Sequence, residues 1–220
     1  MFGGNVSIKE VNLDQSLRDF WKWRLTKHFN DRYRGRQLIK FPEDLRTYQK
    51  VIEETRPNVI IELGTCEGGS AMWFHDQMVA IVERPAWVIT VDTNRSEMPE
   101  YRGVIEIQGD LRDQKVIDDI ASQISGGDRV MVVEDSAHTY DVTSAALRLY
   151  DQFVTPGCYF VVEDGIVDEP ELSIWTDVHG VQPAIVDFLA TDAGQAYTRE
   201  WRNEFLLTMH IGGWLRKGEA

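Results

Sequence analysis

A chain of 220 residues, 43% of them hydrophobic and seven of them tryptophan, can bury the core of one domain with a small appendage. Its formal net charge of −13 excludes a nucleic-acid or anionic-membrane partner, since each demands a basic face. Two cysteines, Cys66 and Cys158, make neither a disulfide framework nor a zinc-site spacing.

Met1 opens no signal peptide and no apolar run approaches the roughly 18 residues of a membrane span, so a soluble cytoplasmic protein is expected. The charge is uneven. Residues 1–50 hold eleven Lys/Arg against six Asp/Glu, a balance of +5, which leaves −18 for the rest. A basic N-terminal segment docked on an acidic body follows, with bases such as Lys40 as candidates to close a ligand site.

In chain order, helices are predicted over 13–29 and 43–56. The second opens after Pro42 with Glu43 and Asp44 in its first turn, where the macrodipole favours acids. Phe20, Trp21 and Trp23 on the first helix read as core or as a subunit interface, and a homo-oligomer is expected. Four apolar runs follow: VIIEL from Val59, WVITVD from Trp87, RVMVVED from Arg129 and CYFVVED from Cys158. Each is nearly continuously apolar rather than alternating, and rich in β-branched or aromatic residues, which marks strands buried on both faces.

Between these runs, 69–83, 113–124 and 139–153 have helical spacing, and IEIQG from Ile105 reads as a further short strand. The alternation predicts an α/β fold: a Rossmann-like, doubly wound, mostly parallel sheet with an N-terminal helical extension. The expected organisation is a helical segment 1–56 packed on a core 57–220. Residues 165–180 form a lid loop, followed by a helix at 182–190 and a terminal strand at 205–215.

The first strand runs into ELGTCEGGS, Glu62 to Ser70, and then a helix. Glycines there let backbone N–H groups approach a ligand. No Gly-Lys-Ser/Thr follows, which excludes a P-loop, and the glycines at 64, 68 and 69 miss the dinucleotide spacing. Glu62 and Glu67 would repel a pyrophosphate. The turn (Glu62, Gly64, Thr65, Glu67, Gly68, Gly69, Ser70) therefore suits a zwitterionic ligand such as the amino-acid end of S-adenosylmethionine. Asp92, ending the second run, is placed to accept from ribose hydroxyls, and Asp110 to face an adenine amino group. The competing reading is a tight packing turn with two helix-capping aspartates.

Both VVED runs end in Glu-Asp. If those strands are neighbours, several carboxylates converge at one sheet edge, a situation that a hard divalent cation relieves. Asp135, Glu163 and Asp164 are the candidate ligands, while alternation along the strand allows Glu134 to face away. His138 lies about one helical turn past Asp135 and is the candidate general base.

ELGTCEGGS, DSAH from Asp135, PGCYFVVED ending at Asp164, GGWLR from Gly212 and KFPEDL from Lys40 together resemble the cephalosporin-hydroxylase-like family, which includes cephamycin C-7 methylation proteins and rhamnosyl O-methyltransferases. The resemblance implies a class I S-adenosylmethionine-dependent methyltransferase with Mg²⁺, or Mn²⁺, on Asp135, Glu163 and Asp164. It also implies His138 as base and a small hydroxylated molecule, a sugar or natural-product scaffold, as acceptor. The chain departs from the family at Ala137, apolar where an acid or small polar residue is usual. An NAD-linked oxidoreductase or epimerase, and a non-catalytic adenosyl-binding partner of a biosynthetic enzyme, are the alternative readings.

Overall fold

The computed structural model describes residues 14–202 and 204–219; residues 1–13, among them the first residue of the expected 13–29 helix, lie outside this range. Helix α1 (Leu17–Leu25) is shorter than expected, because the Ser16 hydroxyl accepts from the Asp19 N–H and caps it there. A 3₁₀ turn, His28–Asn30, follows. Next comes a hairpin of β1 (Arg32–Tyr33) and β2 (Arg36–Gln37), too short for a period-two pattern to reveal. Helix α2 (Pro42–Thr55) starts on its proline and stops at Arg56, which adopts the left-handed conformation.

The main sheet contains β3 (Val59–Leu63), β4 (Trp87–Asp92), β5 (Val104–Gln108), β6 (Val130–Glu134), β7 (Tyr159–Val162), β8 (Tyr197–Glu200) and β9 (Trp214–Lys217), in the order β5-β4-β3-β6-β7-β9-β8. The first five pair in parallel, whereas β9 runs antiparallel to both β7 and β8. Alternate residues bury into opposite clusters: Val59, Ile61 and Leu63 on one face, Ile60 on the other. Helices α2 and α3 (Gly69–Val82) cover the second face. Helices α4 (Gln114–Ala121), α5 (Tyr140–Tyr150) and α6 (Val181–Leu189) cover the first. Each fully buried Ile or Leu contributes roughly 1.5–3 kcal/mol, which explains the continuously apolar strands. This is the doubly wound, mostly parallel sheet that the sequence predicts.

The expected terminal strand at 205–215 is a correction. Residues 204–212 form turns, the strand begins at Trp214, and its partner β8 was not anticipated. Gly212 has φ +65°, and a side chain at Gly213 would run into the Val162 carbonyl, so the backbone cannot extend there. The segment is apolar for another reason: Met209 and Ile211 pack with Trp21, Leu25, Phe41 and Ile166.

Loop 165–180 opens as a 3₁₀ turn, Gly165–Asp168, whose Ile166 N–H donates to the Met209 carbonyl. At the far end the Asp168 carboxylate accepts from the Gly180 and Gln182 N–H groups at 2.6 and 2.7 Å. Both ends of the loop are therefore tied down, and Trp175 lies between them.

Candidate active site

Strand β3 has β4 on one side and β6 on the other, so successive crossovers leave it in opposite directions. The crevice at such a switch point opens at the carboxyl ends of the strands. There the Asp135 N–H donates to the Leu63 carbonyl at 2.8 Å, and Glu163 N–H donates to the Glu134 carbonyl at 2.9 Å. The three strand ends are thereby locked side by side, and two adjoining clefts open over them.

The first cleft, about 350 Å³, is bordered by Gly64, Asp92, Gly109, Asp110, Asp135 and Val142. Asp92 Oδ2 accepts from the Thr65 and Cys66 N–H groups at 3.1 and 3.2 Å, and Oδ1 accepts from Asn94 N–H, so the carboxylate braces the glycine turn from across the crevice. Asp110 is held by Arg112, whose guanidinium donates to both oxygens and pulls the carboxyl down to about 2. It borders the cleft as an ion pair.

The other residues of the turn have divided tasks. Gly64 borders both clefts. Thr65 is buried and shares a 2.8 Å hydroxyl contact with Thr90. Glu62 lies fully buried beneath the turn, accepting from the Thr90 hydroxyl, and burial pushes its carboxyl up to about 7. Glu67 points away from both clefts and accepts from Gln37 N–H at 3.0 Å and from Arg32 at 3.2 Å. Its charge is spent on the hairpin rather than on a ligand. Gly68 (φ +81°) caps α3 and Gly69 begins it, and any side chain at Gly69 would strike the Gln37 carbonyl. Ser70 borders the second cleft.

The second cleft, about 280 Å³, is bordered by Phe29, Lys40, Asp135, His138, Asp164 and Trp175. One ligand atom from each of Asp135, His138 and Asp164 falls within 4.8 Å of the other two. His138 Nε2 is 3.3 Å from Asp164 Oδ2 and 3.8 Å from Asp135 Oδ1. His138 and Asp164 both hold left-handed backbone, φ 54° and 56°, as does Cys66 between the clefts, φ 48°. Such strain collects where a side chain must be aimed. Burial raises the Asp164 carboxyl to about 7 and also raises that of Asp135, whose neighbour Glu163 adds to the effect. Burial lowers the proton affinity of His138, but Asp164 and Asp135 outweigh it and leave the imidazole's pKa raised.

Glu163 sits one layer deeper, 1% exposed. Both of its oxygens accept from Lys40 Nζ at 2.7 Å, and Oε1 also accepts from the Tyr48 hydroxyl at 2.5 Å. Lys40 Nζ donates further to Asp135 Oδ2 at 2.8 Å. His210 completes the layer: its Nδ1 accepts from Asp164 N–H at 3.3 Å, and its Nε2 lies 3.7 Å from Glu163. Glu134 faces the other way and accepts from Ser136 and Thr143. Asp44, whose Oδ2 lies 3.8 Å from His210 Nε2, reads in the sequence only as a first-turn helix acid, and neither Tyr48 nor His210 is placed beside Glu163 by it. No local pattern ties them to the acidic strand ends, and only KFPEDL hinted at that region.

The sequence model of the rhamnosyl O-methyltransferase/CmcI family matches residues 26–218. The chain belongs to that family. The rhamnosyl O-methyltransferase of Mycobacterium tuberculosis (strain ATCC 25618 / H37Rv) is 29% identical over 143 residues, 62% of this chain and 57% of that protein. Its Mycobacterium leprae (strain TN) counterpart is 28% identical over 136 residues, 59% and 58% of the two chains. The chain thus spans less than two thirds of the length of these curated relatives.

Among solved structures, CmcI-D160 with Mg and SAM superposes with a TM-score of 0.63 at 21% identity, covering 94% of this chain and 87% of that one. MycE methyltransferase from the mycinamycin biosynthetic pathway, in complex with Mg, SAH and mycinamycin VI, gives 0.57 at 15% identity, covering 90% and 53%. These likenesses show the fold, a class I methyltransferase sheet.

Proposed function

We propose that this chain is a cation-assisted, S-adenosylmethionine-dependent O-methyltransferase acting on a hydroxyl of a sugar or natural-product scaffold. The observation that carries the reading is the pair of adjoining clefts. Gly64, Cys66 and Asp135 border both, and the Asp135, His138 and Asp164 cluster stands where they meet. Membership of the family favours this reading over an NAD-linked one, and the curated relatives named as rhamnosyl enzymes make a deoxysugar hydroxyl the first acceptor to try.

The first cleft takes the cofactor, with the backbone of residues 64–70 toward its amino-acid end and Asp92 toward the ribose hydroxyls. Asp110 and Arg112 border the adenine end. Asp135 and Asp164 supply hard oxygen donors of the kind Mg²⁺ or Mn²⁺ prefers, with His138 beside them, whereas Glu163, expected as a third ligand, has both oxygens held by Lys40. Burial holds the carboxyls of Asp135 and Asp164 up, and a divalent cation bound between them would favour their charged forms, so the donor set fits such an ion. When bound, the cation supplies Lewis acidity that lowers the pKa of an acceptor hydroxyl.

His138 Nε2 accepts the hydroxyl proton as the oxygen attacks the methyl carbon. The C–S bond breaks, and its electron pair stays on sulfur as S-adenosylhomocysteine leaves. Asp164, 3.3 Å away, holds the imidazolium that results. Trp175 and the tied-down loop restrict water on the acceptor side, so that much of the acceleration comes from positioning.

The test is a Mg²⁺ titration of S-adenosylhomocysteine release with rhamnosides as acceptors, in the wild type and Asp135→Asn. The variant is expected to lose cation-dependent turnover yet bind S-adenosylhomocysteine. Undiminished turnover in chelator would sink the cation's role.

A further inference from the structure

We propose that Lys40 is the resident counter-ion of the acidic site, a positioning residue that keeps Asp135 and Glu163 assembled without a divalent cation and limits how tightly that cation is held. The inference rests on the cation reading above and concerns the affinity of the same site.

The geometry is unusual for a lysine. The side chain is 1% exposed, and Nζ donates to three carboxylate oxygens, one on Asp135 and two on Glu163, all within 2.8 Å. The two Glu163 oxygens share one side of the ammonium, and it is burial that keeps Nζ from water. Nζ also lies 5.7 Å from the Phe74 ring centroid, and Tyr48, packed edge-on to Phe74, donates to Glu163. Burial opposes the charge on Lys40, but Asp135 and Glu163 outweigh it and keep the ammonium charged.

Two consequences follow from one position. Lys40 occupies Asp135 Oδ2 and so fixes the rotation of that carboxylate, leaving Oδ1 toward His138. It also places a positive charge one carboxylate away from where a divalent cation binds, and like charges at that separation repel strongly in a buried site. Loss of Lys40 therefore exposes an uncompensated acid pair in the cation-free protein and removes the cation's competitor. A lysine that only filled space would do neither.

The experiment is calorimetric titration of Mg²⁺ into cation-free wild type, Lys40→Met and Lys40→Arg, with thermal melts of each. Lys40→Met is expected to bind Mg²⁺ at least about tenfold tighter. It should also melt below wild type without cation and gain more melting temperature from saturating Mg²⁺. Lys40→Arg keeps the charge and is expected to stay within about threefold of wild type.

Mg²⁺ affinity in Lys40→Met equal to or weaker than wild type overturns the proposal. Wild type that binds no Mg²⁺ overturns the cation reading as well, which separates the two failures. If Lys40→Met folds only with Mg²⁺ present, that is the expected result in its extreme form. If it folds in neither condition, Lys40→Gln, which keeps a hydrogen-bond donor, is held to the same affinity criterion.

Discussion

The carbonyl of Asp135 occupies the space into which any side chain at Gly64 would project. The end of β3 and the end of β6 thus touch backbone to backbone, and the two clefts share this contact as their common wall. Gly64 also has φ +112°, a conformation that side chains rarely adopt. Gly64→Ala is expected to cost about 3 kcal/mol, a fall of roughly 10 °C in melting temperature, and to abolish S-adenosylhomocysteine binding. A variant that melts and binds like wild type would show that the wall is not needed.

Asp92 reaches across the crevice to the Thr65 and Cys66 N–H groups while bordering the first cleft. Asp92→Asn keeps the shape but weakens two charge-assisted bonds and the acceptor offered to a ribose. S-adenosylhomocysteine affinity is expected to fall about 10–100-fold by calorimetry, with Mg²⁺ affinity unchanged. Equal losses for both ligands would place Asp92 in general support of the fold instead.

Glu62 gives a pH signature. Its folded pKa is raised by burial to about 7 from an ordinary 4.5, so between those values the folded state holds a proton that the unfolded chain has released. Stability contributed by protonated Glu62 is therefore lost as pH rises from about 5 to 8, and the penalty above pH 7 is on the order of 3 kcal/mol. Cation-free protein should melt higher at pH 6 than at pH 8. Glu62→Gln should melt higher than wild type at pH 8 and show a flatter profile. A Glu62→Gln curve parallel to wild type would contradict this.

What sequence alone could reveal divides along physical lines. Strands β3, β4, β6 and β7 were legible because burial on both faces writes a continuous apolar run, and the acidic ends of β6 and β7 stand out against it. The meeting of Asp135 with Asp164 follows once those strands are neighbours. The partners of the acids were not legible. Lys40 reaches Asp135 and Glu163 over 95 and 123 positions of chain, and no local period encodes that. Glu67 looked like a ligand-facing acid because the hairpin that claims it has strands of only two residues. β8 escaped because Tyr197 is the only residue of that short edge strand that is buried.

His138 allows the mechanism itself to be tested by pH. A general base must be neutral, and this imidazole's pKa lies above the ordinary 6.5 because Asp164 and Asp135 outweigh its burial. Turnover should accordingly climb as pH rises through neutrality and level off once the ring is deprotonated. His138→Asn is expected to lower kcat by about 10²–10⁴ while S-adenosylhomocysteine still binds, and to erase the rising limb. Mg²⁺ binding, measured on the same variant, separates the two roles open to the ring. A base lost leaves cation affinity near wild type, whereas a ligand lost lowers it about 10–100-fold together with kcat. If His138→Asn keeps the wild-type limb, the proton goes elsewhere. Lys40 is then a poor substitute, because its ammonium, held between Asp135 and Glu163, has no lone pair to accept a proton.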